Sequence, residues 1–235
     1  LSSTQAQGFS TAQIGALTST VIENLASDDI QAWSTEQLGA LTTKQLSGLT
    51  TSAIANLSDT QLAGLTTTQV RAFTATQLNT LATTQLNALN AQDLSTTQIK
   101  AMDVTAIGNL STTQAQSLTA AQIGAMTTAG LDALSSEEVQ GWNTTQLGAL
   151  TSQQLSKLSA TAIADFSETQ LTDLTSTQVR GFTTTQLNSL GSTQLNALEV
   201  ADFSTAQVAG FDATAAAALS STQAQGFSTA QIGAL

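Results

Sequence analysis

The chain contains no cysteine, histidine, tyrosine or proline. Without cysteine no disulfide can staple the fold. Without cysteine or histidine the usual side chains for zinc and the heavier metals are missing. Charge is scarce as well: 9% of residues are charged, against about 25% in a typical soluble domain. The net charge is −11, and the five basic residues are Lys44, Arg71, Lys100, Lys157 and Arg180. They are scattered, so no patch exists to neutralise a phosphate backbone, which excludes nucleic acid as a partner. No apolar run reaches the roughly 18 residues needed to span a membrane, and no signal peptide is visible at Leu1. The sequence starts in mid-pattern and reads as a window on something longer.

What is present is one eight-residue unit, repeated from Leu1 to Leu235. Leu65 to Phe73, LTTTQVRAF, shows it as it closes on the next. Position 1 is a large apolar anchor and position 2 is Ser or Thr. Two small polar residues follow, then Gln at position 5 and an aliphatic residue at position 6. A variable residue and Ala or Gly complete the octad. The anchors run Phe9, Leu17, Leu25, Trp33, Leu41, Leu49, Leu57, Leu65, Phe73, Leu81 and Leu89.

Apolar gaps of five and three fit neither regular backbone over long stretches. A straight strand would point Leu49 and Ile54 to opposite faces. One continuous α-helix would rotate the apolar stripe by about 80° per octad. A chain of very short helices, interrupted once per octad, removes the conflict, because Ile54 and Leu57 then share one face. The interruption carries its own chemistry. Ser or Thr followed three residues later by Gln is a capping box; Ser10 with Gln13, Thr66 with Gln69, Thr74 with Gln77, Ser95 with Gln98 and Ser111 with Gln114 all match. Leu65 and Val70 occupy the places of a hydrophobic staple. Ala or Gly before the next anchor allows a close approach or a left-handed helix end. Helices this short are unstable alone, so the expected fold is an all-α solenoid in which stability comes from stacking. A β-solenoid, whose corners would absorb the parity problem, is the alternative.

A longer period lies over the octads. At Leu89-Asn90-Ala91-Gln92-Asp93-Leu94 three residues are missing, and the same slip returns at Leu198 to Phe203. Trp33 pairs with Trp142, and Arg71 with Arg180, across a spacing of thirteen octads and one pentad. Residues 1–17 recur unchanged as 219–235. The chain therefore reads as one continuous array: a first super-repeat over 1–109, a second over 110–218, and the start of a third over 219–235. The expectation is that this long period corresponds to one turn or one lattice step of a superhelix.

Such LTTTQL-type units resemble the Ser/Thr/Gln-rich octapeptide arrays of very large exported bacterial surface proteins and adhesins. The resemblance implies an extracellular, extended structural element rather than a catalytic domain. The Gly-rich Asp nonapeptides of calcium-binding RTX repeats are absent, which argues against a calcium-dependent fold.

No residue is assigned a catalytic, cofactor-binding or metal-binding role. Asp28-Asp29 and Glu137-Glu138 are adjacent rather than convergent, and they read as first-turn residues favouring the helix dipole. The many hydroxyls have no histidine to activate them, and no Ser-x-x-Lys or Gly-x-Ser-x-Gly motif occurs. Asn56, Asn109 and Asn143 begin glycosylation sequons. The aromatic residues stand at anchor positions and read as core, and Arg71 and Arg180 as solvated. The expected function is a structural extracellular repeat protein that forms or extends a fibre, sheath or stalk. Its partners would be other copies or neighbouring repeats. The alternative is an adhesin segment that binds glycan or a surface.

Overall fold

In the computed structural model, which describes residues 3–235, each full octad folds as one α-helix of four to six residues. The helix starts where the sequence supplies a cap. Thr74 is extended at φ −74°, ψ 157°, and its side chain accepts from the Gln77 N–H. Without that acceptor the first-turn amides would be unpaired. The helix stops at the anchor. Leu49 leaves the helical region at φ −62°, ψ 142° while its N–H still bonds Leu46 O. Anchor and cap together form a two-residue extended link between helices.

Among the described residues none adopts positive φ, so the left-handed helix end, one of the two roles open to the small eighth residue, does not occur there. An extended anchor already closes the last turn through its i−3 hydrogen bond, at 3.2 Å for both Leu65 N–H to Leu62 O and Phe73 N–H to Val70 O. The small residue serves close approach instead. A Cβ at Gly181 would lie 2.6 Å from Ser152 Cα and O, whereas one at Gly148 would meet nothing. Gly181→Ala should therefore cost about 1–3 kcal/mol through local repacking, while Gly148→Ala should be neutral or stabilising by up to about 1 kcal/mol. Urea midpoints of the two variants test the contrast.

There are 28 such helices and two 3₁₀ turns among the described residues, and no strand. The β-solenoid alternative is thereby excluded. The chain forms two compact units, Leu1–Ser117 and Leu118–Leu235. Within the first, Ser27–Gln31 packs on Ser3–Gln7, Thr51–Ala55 packs on Ser27–Gln31, and Thr83–Ala88 packs on Asp59–Ala63. Within the second, Ala160–Ala164 packs on Ser136–Gln140, and Thr184–Asn188 packs on Ala160–Ala164. Each unit is thus a solenoid in which a helix rests on the one three places earlier. Positions 1 and 6 fill its interior. Leu62, Leu65, Val70, Phe73, Leu78 and Leu81 are all buried, which puts Leu65 and Val70 inside in their staple places. Trp33, Phe73, Trp142, Phe166, Phe182 and Phe203 are core residues. Phe203 meets the half-buried Phe211 edge to face at a centroid distance of 5.4 Å.

The missing three residues have a direct structural counterpart. Positions 3 to 5 are deleted, and a 3₁₀ turn, Ala91–Asp93 or Val200–Asp202, replaces the helix. Ala91 and Val200 keep the buried sixth position.

Candidate functional site

The side chains that recur with a defined geometry are the glutamines at position 5. Gln77 is buried. Its Oε1 accepts from the Thr74 N–H at 2.8 Å. Its Nε2 donates to Leu46 O at 2.9 Å and Leu49 O at 2.8 Å, on the preceding coil. The extended link between helices exposes a cap N–H and an anchor carbonyl with no regular partner, and buried groups of this kind must be paired. One amide side chain meets both, the N–H from its own octad and the carbonyl from the coil before. Gln45 and Gln69 do the same in the first unit, and Gln178 and Gln186 in the second. Where the cap hydroxyl is lost, at Ala82 and Gly191, the glutamine still holds the cap N–H at 2.9 Å.

These bonds measure the coil. In full-length stretches Nε2 reaches carbonyls 28 and 31 residues back, as from Gln77. Across the pentad the spacing falls by three, to 25 and 28, from Gln98 to Phe73 and Val70. It falls identically from Gln207 to Phe182 and Val179. The coil thus closes within about three and a half octads, so a single turn of the coil is far shorter than the 109-residue period. A turn is set by how far one glutamine can reach, and that reach joins neighbouring coils only.

Position 7 supplies a second set of bonds, directed to the following coil. Gln140 Nε2 donates to Asp165 O, 25 residues ahead. Across the pentads the reach shortens to 22. Arg71 Nε donates to Asp93 O at 3.0 Å and Arg180 Nε to Asp202 O at 3.1 Å. Asn87, Asn188 and Asn196 donate to Asn109 O, Gly210 O and Ala218 O. The two arginines are exposed, as expected of solvated residues, yet each ties its helix to the 3₁₀ turn.

One predicted capping box does not form. The Ser111 N–H goes to Asn87 Oδ1 at 2.7 Å, and Gln114 Oε1 is left buried without a protein partner. The same substitution occurs 109 residues later, where Ser220 N–H bonds Asn196 Oδ1 and Gln223 Oε1 is left over. Two acceptors compete for one donor, and the asparagine, whose amide also donates to the Asn109 carbonyl, takes it. Removing Asn87 should return the Ser111 N–H to Gln114. Gln114→Ala should then cost about 1 kcal/mol more in an Asn87→Ala background than in the parent. A double-mutant cycle from denaturant midpoints measures this; no coupling would refute the competition.

The other candidate groups fall into place around this framework. Asp28 and Asp29 lie in the first turn of Ser27–Gln31, and Glu137 and Glu138 in that of Ser136–Gln140. Asp29 is buried and accepts from the Ala26 N–H at 3.3 Å. Glu138 accepts from the Ser135 N–H at 2.6 Å. These two keep the capping half of the glutamine's role. Ala26 has no side-chain acceptor, so only the return bond exists there. Asn56 and Asn109 are half-buried helix ends, whereas Asn143 is an exposed cap whose Oδ1 accepts from the Gln146 N–H at 3.0 Å. An open groove of about 340 Å³ in the second unit is lined by Gln140, Asn143, Asp165 and Thr169 among others. Among the described residues, no helix is long and apolar enough to cross a membrane.

A family model for the ALTTAQ repeat matches residues 22–59 and 125–160. Over these stretches the chain is similar to the ALTTAQ repeat, which supports its being a repeat protein. The pattern is visible in Ala40-Leu41-Thr42-Thr43-Lys44-Gln45 and Ala149-Leu150-Thr151-Ser152-Gln153-Gln154, which run from the eighth position of one octad to the clamping glutamine of the next. A search of curated proteins finds no match. Both matched stretches lie within runs of full octads, and the two pentads lie outside them.

Proposed function

We propose that this ALTTAQ-type array is an extracellular structural element that forms or extends a fibre, sheath or stalk on a bacterial surface. The supporting observation is the glutamine clamp. Each coil presents carbonyls that the next coil's glutamines fit, so every coil is a template for another. Exposed positions carry hydroxyls and amides and few charges, as suits a surface whose task is mechanical. Export is inferred from the likeness to octapeptide arrays of surface proteins. Immunogold labelling of intact cells, with electron microscopy of sheared surface material, tests the reading. Label on elongated material outside the cell supports it, and label confined to the cell interior overturns it.

A second reading, a glycan-binding segment, draws on the groove beside Asn143 and Asp165. Amide, hydroxyl and carboxylate groups there offer hydrogen bonds to sugar hydroxyls. Asn143→Ala with Asp165→Ala should abolish binding to a glycan array if this reading holds.

A further inference from the structure

The chain carries 16 acidic and five basic residues, so an exposed cation has many carboxylates to pair with. Arg180 pairs with none. Its Nε donates to the backbone carbonyl of Asp202 at 3.1 Å, and Nη1 and Nη2 have no acceptor among the described residues. Arg180 lines an open groove of about 410 Å³ with Ser152, Gln153, Ser156, Thr177 and Gly181, and no carboxylate lines it. The side chains of Ser152, Gln153 and Thr177 make no hydrogen bond among the described residues, so two hydroxyls and an amide stand uncommitted beside the guanidinium.

The first unit repeats the set. The positions 109 residues earlier hold Thr43, Lys44, Ser47, Thr68, Arg71 and Ala72. Arg71 Nε donates to Asp93 O at 3.0 Å and Ser47 Oγ to Lys44 O at 3.1 Å. Arg180 and Ser156 make the same two bonds in the second unit, the latter to Gln153 O at 2.7 Å. Lys44 stands where Gln153 does and adds a second cation. Neither Lys44 nor Arg71 has an ion pair among the described residues, and Asp93 turns its carboxylate to Thr67 Oγ1 at 2.7 Å. Three of the five cations therefore share one setting, exposed and unpaired among hydroxyls. The tie between coils does not require them. Asn87, Asn188 and Asn196 make it from the same octad position across the same 22 residues. What arginine adds is the free end of its charged fork.

That end presents parallel N–H groups to a carboxylate or a sulfate, and the neighbouring hydroxyls and amide suit the hydroxyls of a sugar ring. We propose that the sites at Arg180 and Arg71 each bind an acidic sugar residue of a polysaccharide, one bearing a carboxylate or a sulfate. The net charge of −11 keeps polyanions off the rest of the surface, so attachment depends on these few cations. This binding goes beyond the structural role proposed above and does not depend on it.

Surface plasmon resonance of the purified 235-residue chain on immobilised polygalacturonate, dextran sulfate and neutral dextran tests the proposal. The chain should bind at least one acidic polymer and not dextran, and salt should weaken the binding. Preference for polygalacturonate assigns the carboxylate, and preference for dextran sulfate assigns the sulfate. Arg71→Gln with Arg180→Gln should weaken binding by at least about tenfold. These changes also remove the ties to Asp93 O and Asp202 O. A second pair, Thr68→Glu with Thr177→Glu, instead places carboxylates at exposed positions of the two sites. It should weaken binding by as much, with unchanged circular dichroism. Lys100→Gln, outside both sets, should leave binding as it is. Failure to bind either acidic polymer overturns the proposal, as does equal binding to dextran. Undiminished binding by either paired variant, or an equal loss in Lys100→Gln, also overturns it. None of these results touches the fibre reading, which turns on where the chain is found.

Discussion

Gln77→Glu should destabilise the chain by about 3 kcal/mol at pH 7 and by much less at pH 4. The side chain keeps its shape and can still accept from the Thr74 N–H. What it loses is the donor. Ionised, it sets a second carboxylate oxygen against Leu46 O and Leu49 O, which the amide meets at 2.9 and 2.8 Å, in a buried position where unpaired acceptors are costly. Protonated, it can donate one hydrogen bond to these carbonyls. The folded-state pKa of the new carboxyl is therefore raised above its unfolded value of about 4.3. Its stability contribution is fully present below the unfolded pKa and is lost as pH rises through the folded pKa. Gln77→Leu removes both halves of the clamp and should cost about 2 kcal/mol with no such pH dependence. Urea midpoints of parent and variants at pH 4 and 7 decide the matter. Equal losses for the Gln77→Glu variant at both pH values would show that the amide N–H is not the operative group.

Trp33→Ala should cost about 3–5 kcal/mol, the usual range for removing a buried aromatic side chain. Trp33 fills the interior of its coil and also donates Nε1 to Ala6 O across 27 residues. Truncation leaves both a void and an unpaired carbonyl. Trp33→Phe retains most of the volume and should cost about 1–2 kcal/mol. Chemical denaturation followed by helical circular dichroism measures both, and a loss under about 1 kcal/mol for Trp33→Ala would refute the packing argument. Because neighbouring coils hold each other, the loss should spread beyond one helix.

The helices themselves were legible because every determinant of a stop is local. Leu65, Thr66 and Gln69 lie within five residues, and the cap geometry follows from their types alone. The inward-facing anchors, including Trp33 and Trp142, were readable for the same reason. The clamp was not, since the second half of each glutamine's bonding lies 25 to 31 residues away. A signal for it did exist. Glutamate serves a capping box as well as glutamine, and this chain is acidic, yet position 5 is Gln in 20 of the 28 full octads and acidic only at Asp29 and Glu138. That preference marks a use for the amide N–H. The failure of the Ser111 and Gln114 box had no local signal, because the competing Asn87 sits on another coil. Of the two roles open to the small eighth residue, close approach is realised at Gly181 and a left-handed end is not, because an extended anchor satisfies the last turn just as well.

A spiral staircase of near-identical steps has a characteristic fault: it can be threaded one step out of phase and still find a plausible seat for every tread. The five-residue step defeats this. Displaced by one octad, Arg71 would face a full helix instead of the carbonyl of Asp93, and Gln98 would fall three residues short of its partners. Misthreading is therefore penalised at one fixed place in each long period. The deleted triplet works as an indexing notch that tells a monotonous polymer where it is.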